Sequence, residues 1–344
     1  MKAMLLNRIS DLQTEPAPLV LEDVPPATPE PNEVLIRVSA CGVCHTELDI
    51  IEGRTPPPAL PIIPGHQVVG RVERTGSAVT DLKPGERVGV AWIFDACGTC
   101  EHCREGRENL CPTFRATGRD AHGGYAEYMV VPAASACRLP DVFSDCEAAP
   151  LLCAGAIGFR SLNLTGLVDG RRLGLVGFGA SAHLVLKMVR HRFACSDVFV
   201  WARSARERAF AREIGAAWAG DFDAAPPAPI HAAIDTTPAW RPVLVALQHL
   251  APGGRLVINA IRKEAGDSNL LASIDYPRHL WMEKEIKSVA NITRRDVRDF
   301  IALAAAVPLR PAIECFPLDA ANQALMELKH RKIRGAKVLQ IAPG

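Results

Sequence analysis

Four of the chain's 11 cysteines, Cys97, Cys100, Cys103 and Cys111, fall in one short stretch of a 344-residue sequence; even scatter would place about half of one cysteine there. Two-residue gaps let successive thiolates turn toward a common centre. Four of them complete a closed tetrahedral zinc shell with no position left for a substrate, so this site is read as structural. Gly98 and Gly106 supply the tight turns that wrap a loop around an ion. Buried thiols or a stray disulfide are the bland alternative. The odd cysteine count and a start without the apolar run of an export signal favour a reducing, cytoplasmic setting and thiolate ligands. A nucleic-acid-binding zinc ribbon would present basic residues to a groove, whereas here Glu101, Glu105 and Glu108 offset Arg104 and Arg107.

The rest of the chain is too long for one typical core, and two domains are expected. With 39 Lys+Arg against 38 Asp+Glu and no block of like charge, nothing suggests a nucleic-acid or anionic membrane partner. The richest apolar segment, residues 148–159, is shorter than the roughly 18 to 20 residues of a membrane span and contains Pro150, Gly155 and Gly158. Up to about Cys153 the sequence is punctuated by Pro and Gly between short β-branched runs (residues 33–38, 68–74, 87–90), which predicts a strand-rich domain with functional loops. From about Gly170 strands (173–176, 198–201, 232–234, 256–258) alternate with helices (181–191, 204–214), and alternation implies a parallel sheet. Ser204 is the expected N-cap and Gly215 the stop of the second helix. A helix over 319–329 and a strand over 337–341 read as a return to the first domain.

Cys41-Gly42-Val43-Cys44-His45-Thr46-Glu47-Leu48, Pro64-Gly65-His66-Gln67-Val68-Val69-Gly70 and Leu152-Cys153-Ala154-Gly155, together with the four-cysteine loop, resemble the zinc-dependent medium-chain alcohol dehydrogenases over essentially the whole chain. The resemblance implies an α/β architecture: a GroES-like β-rich catalytic domain (1–153), a Rossmann doubly wound parallel-sheet cofactor domain (154–288) and a return segment (289–344). It implies two Zn2+ per chain, the second held by Cys44, His66 and Cys153. Two thiolates and an imidazole leave a fourth position open for water or the substrate oxygen, where the metal's charge lets an alcohol ionise near neutral pH. By the same resemblance Thr46 hydrogen-bonds the substrate oxygen and starts a proton relay, and His45 contacts the cofactor; the alternative for Thr46 is an ordinary helix cap. Two positions depart from the family. Gln67 stands where Glu commonly follows the His ligand, which puts ligand exchange in doubt. Asp49 stands where many relatives place the last relay His, leaving Asp49, water or another path for the proton.

After the 173–176 strand comes Gly177-Phe178-Gly179-Ala180-Ser181-Ala182. In strand-to-helix context this is a dinucleotide fingerprint: Gly177 turns tightly, Gly179 lets pyrophosphate approach, and Ala182 permits close helix packing. A ligand-free Gly-rich turn is the alternative. The next strand ends in Ala202-Arg203-Ser204 without the acidic residue that favours NAD. Arg203 and Ser204 suit a 2′-phosphate, so NADP is favoured, with NAD the alternative and a solvated Arg203 the plain reading. Asp235-Thr236-Thr237 and Asn259 to Ile261 are expected near the cofactor. Arg294 resembles the family's Arg-x-Asp segment beside the pyrophosphate.

By the same resemblance, Trp92 stands where relatives place an aromatic pocket wall, which implies unbranched or planar primary alcohols; plain core is the alternative. A polyol dehydrogenase would want polar groups where Ile50 and Ile51 stand. A regulatory relative without turnover would need the three zinc ligands not to converge. The expected partners are a small alcohol or aldehyde and further copies of the chain, as a homodimer or homotetramer paired through an edge strand.

Overall fold

The computed structural model describes residues 1–307, 309–330 and 334–342. Two compact units emerge, one comprising Met1–Ala156 with Ile292–Gly344, the other Ile157–Asn291.

In the second unit the apolar runs Leu173–Val176 and Val198–Trp201 are buried at every position. Continuous rather than alternating burial is what a sheet covered on both faces requires. Six strands run parallel in the order Trp218–Gly220, Val198–Trp201, Leu173–Val176, Ile230–Asp235, Leu250–Ile258 and Glu285–Ser288. The order reverses between Leu173–Val176 and Ile230–Asp235, and the carboxyl ends of those two strands therefore flank the switch point where open α/β sheets bind ligands. The expected helices are Ala180–Arg192 and Ala205–Glu213. Ser204 caps the latter, its Oγ accepting from Glu207 N at 3.1 Å.

The first unit is built on a seven-stranded sheet whose long member, Glu33–Val43, pairs with Val68–Thr75 through two register shifts and delivers the chain directly to Cys44. Strand Ala336–Gln340 pairs antiparallel with Glu33–Val43, so the end of the chain completes this unit. The helix expected from residue 319 opens with a 3-10 turn, Leu318–Ala320, and continues as Ala321–Lys329. Pro150 does not break the chain into loops. Asp145–Pro150 passes into a π-turn, Leu151–Gly155, and on into Ala156–Thr165; such widened turns recur at functional sites, and this one carries Cys153. Among the described residues no helix is long and apolar enough to cross a membrane.

Candidate active site

The helix His45–Ile51 starts at Cys44, not at Thr46: Cys44 is the N-cap, and the Glu47 carboxylate accepts from Cys44 N at 2.8 Å. That removes the plain capping role considered for Thr46. Its hydroxyl lies 3.7 Å from Cys44 Sγ, while His45 is exposed beside it. His66 follows Gly65, whose φ of +100° and lack of a Cβ matter because a Cβ would sit 2.4 Å from the Tyr125 ring. A side chain there would displace His66 from its place.

The ligand atoms of Cys44, His66 and Cys153 lie within 4.8 Å of one another, with His66 Nε2 3.2 Å from Cys153 Sγ. Tetrahedral zinc bonds of about 2.0 to 2.3 Å place ligand atoms roughly 3.5 to 3.8 Å apart, a spacing close to that of these three groups. His66 Nδ1 meets Glu47 Oε1 at 2.5 Å, both side chains essentially inaccessible. Glu47 is the residue that the sequence reading quoted without a role. Its capping bond and its bond to His66 together orient the imidazole so that Nε2 faces the sulfurs.

Charge in this cluster is shared. A hydrogen bond from Cys153 holds the Cys44 thiol well below its usual range against the cost of burial, and the same bond with burial pushes Cys153 well above it. Burial disfavours a charged His66, but the Glu47 carboxylate and the Cys44 sulfur raise its pKa to about 10. A dication bound here would take the place of the protons that these three groups share.

Cys97, Cys100, Cys103 and Cys111 also bring their sulfurs within 4.8 Å of one another, and no cysteine of the chain is in a disulfide. Backbone amides turn inward: Cys100 N donates to Cys97 Sγ at 3.3 Å and Cys97 N to Cys111 Sγ at 3.5 Å. Hydrogen bonds from Thr99 and Cys100 lower Cys97 to about 5. Glu108, inside this loop, accepts from Arg294 N at 2.8 Å, and the Arg294 guanidinium bonds Ser135 Oγ at 3.1 Å and faces Asp95 at 3.8 Å. Arg294 thus braces the cysteine loop within the first unit.

Trp92 is 4 % exposed, its ring 4.9 Å from that of His66 and edge-on at 84°; its indole nitrogen is buried without a partner. It is core and site neighbour at once. Ile50 and Ile51 are fully buried in the apolar core of this unit. They therefore say nothing about pocket polarity, which corrects the argument drawn from them against a polyol. Gln67 is buried with its amide against Gly42. The Asp49 carboxylate receives Arg54 Nε at 2.5 Å.

In the second unit Gly177 has φ +85° and a Cβ there would strike Thr236 Oγ1 at 2.7 Å. Gly179 begins the helix Ala180–Arg192 and faces open space, as an amide that receives a phosphate must. Ala182 is fully buried and Asn259 Nδ2 is buried with no partner. Ala202 is buried at its strand end, while Arg203 and Ser204 are exposed. Arg208, which the sequence reading missed, donates to the carbonyls of Ala202 and Arg203 at 2.8 and 2.7 Å. Its spacing of four from the cap residue was the available signal.

Residues 30–141 match the alcohol dehydrogenase GroES-like domain. The chain is 44% identical over 346 residues to the probable alcohol dehydrogenase AdhA of Mycobacterium tuberculosis (99% of this chain, 97% of that protein). It is 31% identical over 350 residues to an alcohol dehydrogenase of Geobacillus stearothermophilus (99% of each). Among solved structures it resembles the thermostable alcohol dehydrogenase from Pyrobaculum aerophilum, which holds cobalt and zinc, with a TM-score of 0.86, 26% identity and coverage of 100% and 99%.

Proposed function

We propose, for a chain that belongs to the medium-chain alcohol dehydrogenase family, the reversible oxidation of a primary alcohol to its aldehyde with NADP at a zinc ion held by Cys44, His66 and Cys153. Alcohol dehydrogenase activity with a nicotinamide dinucleotide comes with the family; the metal, the class of alcohol and the choice of cofactor are the proposal. The observation that carries it is the convergence of those three side chains, with Glu47 behind His66. A second zinc in the four-cysteine loop and a cytoplasmic location, suited to 11 free thiols, complete the reading.

Zinc would supply the Lewis acidity that eases ionisation of the alcohol and polarises the carbonyl in reverse, and the nicotinamide would take the hydride. The chain's own groups prepare that exchange. Glu47 fixes the tautomer and orientation of His66. Thr46, beside Cys44, would accept a hydrogen bond from the alcohol and pass its own hydroxyl proton on as the alcohol ionises. One oxygen of the Asp49 carboxylate already receives Arg54, and water is the route by which the proton would leave Thr46. Trp92 flattens one side of the site and narrows it for unbranched or planar alcohols. The test is a panel of alcohols with both cofactors, read as absorbance of the reduced nicotinamide. Primary alcohols and NADP should give the highest kcat/KM, and turnover of none of the alcohols would overturn the reading.

Cofactor choice has its own test. With no carboxylate at Ala202 and with Arg203 exposed beside it, a 2′-phosphate meets cationic rather than anionic surroundings. A charge-assisted contact contributes roughly 1.5 to 3 kcal/mol, about ten- to a hundredfold. Ala202→Asp should reverse the NADP preference, and Arg203→Ala should weaken NADP use while leaving NAD nearly unchanged. An equal effect on both cofactors would show that Arg203 does not read the 2′-phosphate.

The edge strand Glu285–Ser288 is exposed along its whole length, and Ile286, Trp281, Met282 and Tyr276 around it are large exposed apolar residues. An unpaired edge strand with exposed apolar residues beside it calls for a partner, and strand pairing across a two-fold axis gives a homodimer or a dimer of dimers. Light scattering at micromolar concentration should find one of these, and Ile286→Lys should shift it toward monomer. A monomeric wild type contradicts the proposal.

A further inference from the structure

Beyond the glycine loop, the switch point of the parallel sheet carries an ion pair that the reaction above does not use. Asp235 ends the strand Ile230–Asp235 with its side chain fully buried, and Lys263, whose side chain is 10 % exposed, donates to it. The same ammonium donates to the carbonyls of Thr237 and Ala239 at 2.8 and 3.0 Å and stands over the Trp240 ring at 5.7 Å. Lys263 is not alone in gripping this turn. Glu264 N donates to Pro238 O at 2.7 Å, and the Asp267 carboxylate receives Trp240 N and Arg241 N, the latter at 2.8 Å. Residues 263–267 thus form a strap over residues 236–241.

What the strap presses on is the first glycine of the fingerprint. Thr236 N and Oγ1 both donate to Val176 O, at 2.9 and 3.1 Å, and Thr236 and Thr237 crowd the α-carbon of Gly177 so closely that a Cβ would lie 2.7 and 2.9 Å from them. Thr237 N and Oγ1 in turn hold Asp235 Oδ1 at 3.1 and 2.7 Å. Without Lys263 the Asp235 carboxylate would be buried with only Thr237 bonded to it, a costly state that rearrangement of the turn would relieve.

We infer that Lys263 is a positioning residue for the cofactor: by tying Asp235 to the 236–240 turn, it keeps that turn against Gly177 and the glycine loop in its phosphate-receiving shape. The inference rests on the reading of residues 177–182 as the dinucleotide site. It predicts a split that a purely structural role does not produce. In the zinc-loaded chain, Lys263→Met should raise the Kd for NADPH, measured by nucleotide fluorescence, and the KM for NADP by roughly tenfold, the effect of one lost charge-assisted contact. At saturating NADP, kcat and the KM for alcohol should stay within about twofold. Lys263→Arg should recover most of the affinity. Thr237→Val, which keeps the ion pair and removes one bond to Asp235, serves if Lys263→Met fails to fold and should weaken NADPH binding by about threefold. Wild-type NADPH affinity in a folded Lys263→Met or in Thr237→Val, or a fall in kcat with unchanged cofactor KM, would overturn the inference. Gly179→Val separates this from the underlying reading: it should abolish NADPH binding, and if it binds normally the dinucleotide site itself is misplaced.

Discussion

Cys153→Ser is expected to cut kcat/KM for alcohol oxidation at least about a thousandfold, some 4 kcal/mol of transition-state stabilisation, while the protein stays folded. Cys153 contributes one of three ligand atoms gathered within 4.8 Å. A serine hydroxyl is a far weaker zinc ligand than a thiolate, and without it His66 and Cys44 are left as a two-ligand remnant. The fold tolerates the change because serine is close to cysteine in shape and the polar contacts of the side chain are to Cys44 and His66 themselves. Circular dichroism and Tm should therefore stay near wild type, with turnover lost. Substantial activity in Cys153→Ser would remove it from the metal site.

Cys100→Ser should act in the opposite way, on folding before chemistry. The loop from Cys97 to Cys111 has little apolar content of its own, and Cys97 and Glu101 are exposed; under the proposal its shape depends on sulfurs converging on one ion. Structural zinc binding contributes about 10 to 16 kcal/mol in small peptide sites, comparable to the whole stability of a domain. Loss of one ligand should therefore lower Tm by at least about 10 °C or leave the chain insoluble. The damage should spread through Glu108, which holds Arg294 N, and through Arg294, which holds Ser135. The measurement is thermal unfolding with metal analysis. A protein that loses one zinc equivalent without a change in Tm would show that the ion does not support the fold.

Much of this was legible in the residues because spacing and periodicity are local signals. The alternation of strands and helices from residue 173 onward implies the parallel sheet, Ser204 stands as a cap just before a helix, and the gaps between the four cysteines mark their cluster. The carboxylate behind His66 was not legible, because Glu47 and His66 are 19 residues apart and meet only through the turn at Gly65. The argument against a polyol from Ile50 and Ile51 failed for a related reason: nearness to a ligand in sequence does not decide which face of a helix a side chain takes, and theirs turn into the core. Lys263 could not be found from sequence at all. It lies 28 residues from Asp235 in a segment with no motif, and only the sheet's switch point brings the two together.

The most direct test of the central claim is zinc per chain in wild type and in Cys153→Ser, measured alongside alcohol-dependent formation of NADPH on the same samples. Two zinc ions and turnover in wild type, with one zinc ion and no turnover in the variant, are the predicted results. Wild-type protein that turns over alcohol with a single zinc ion, or a variant that keeps both ions and its activity, would contradict an active metal at Cys44, His66 and Cys153.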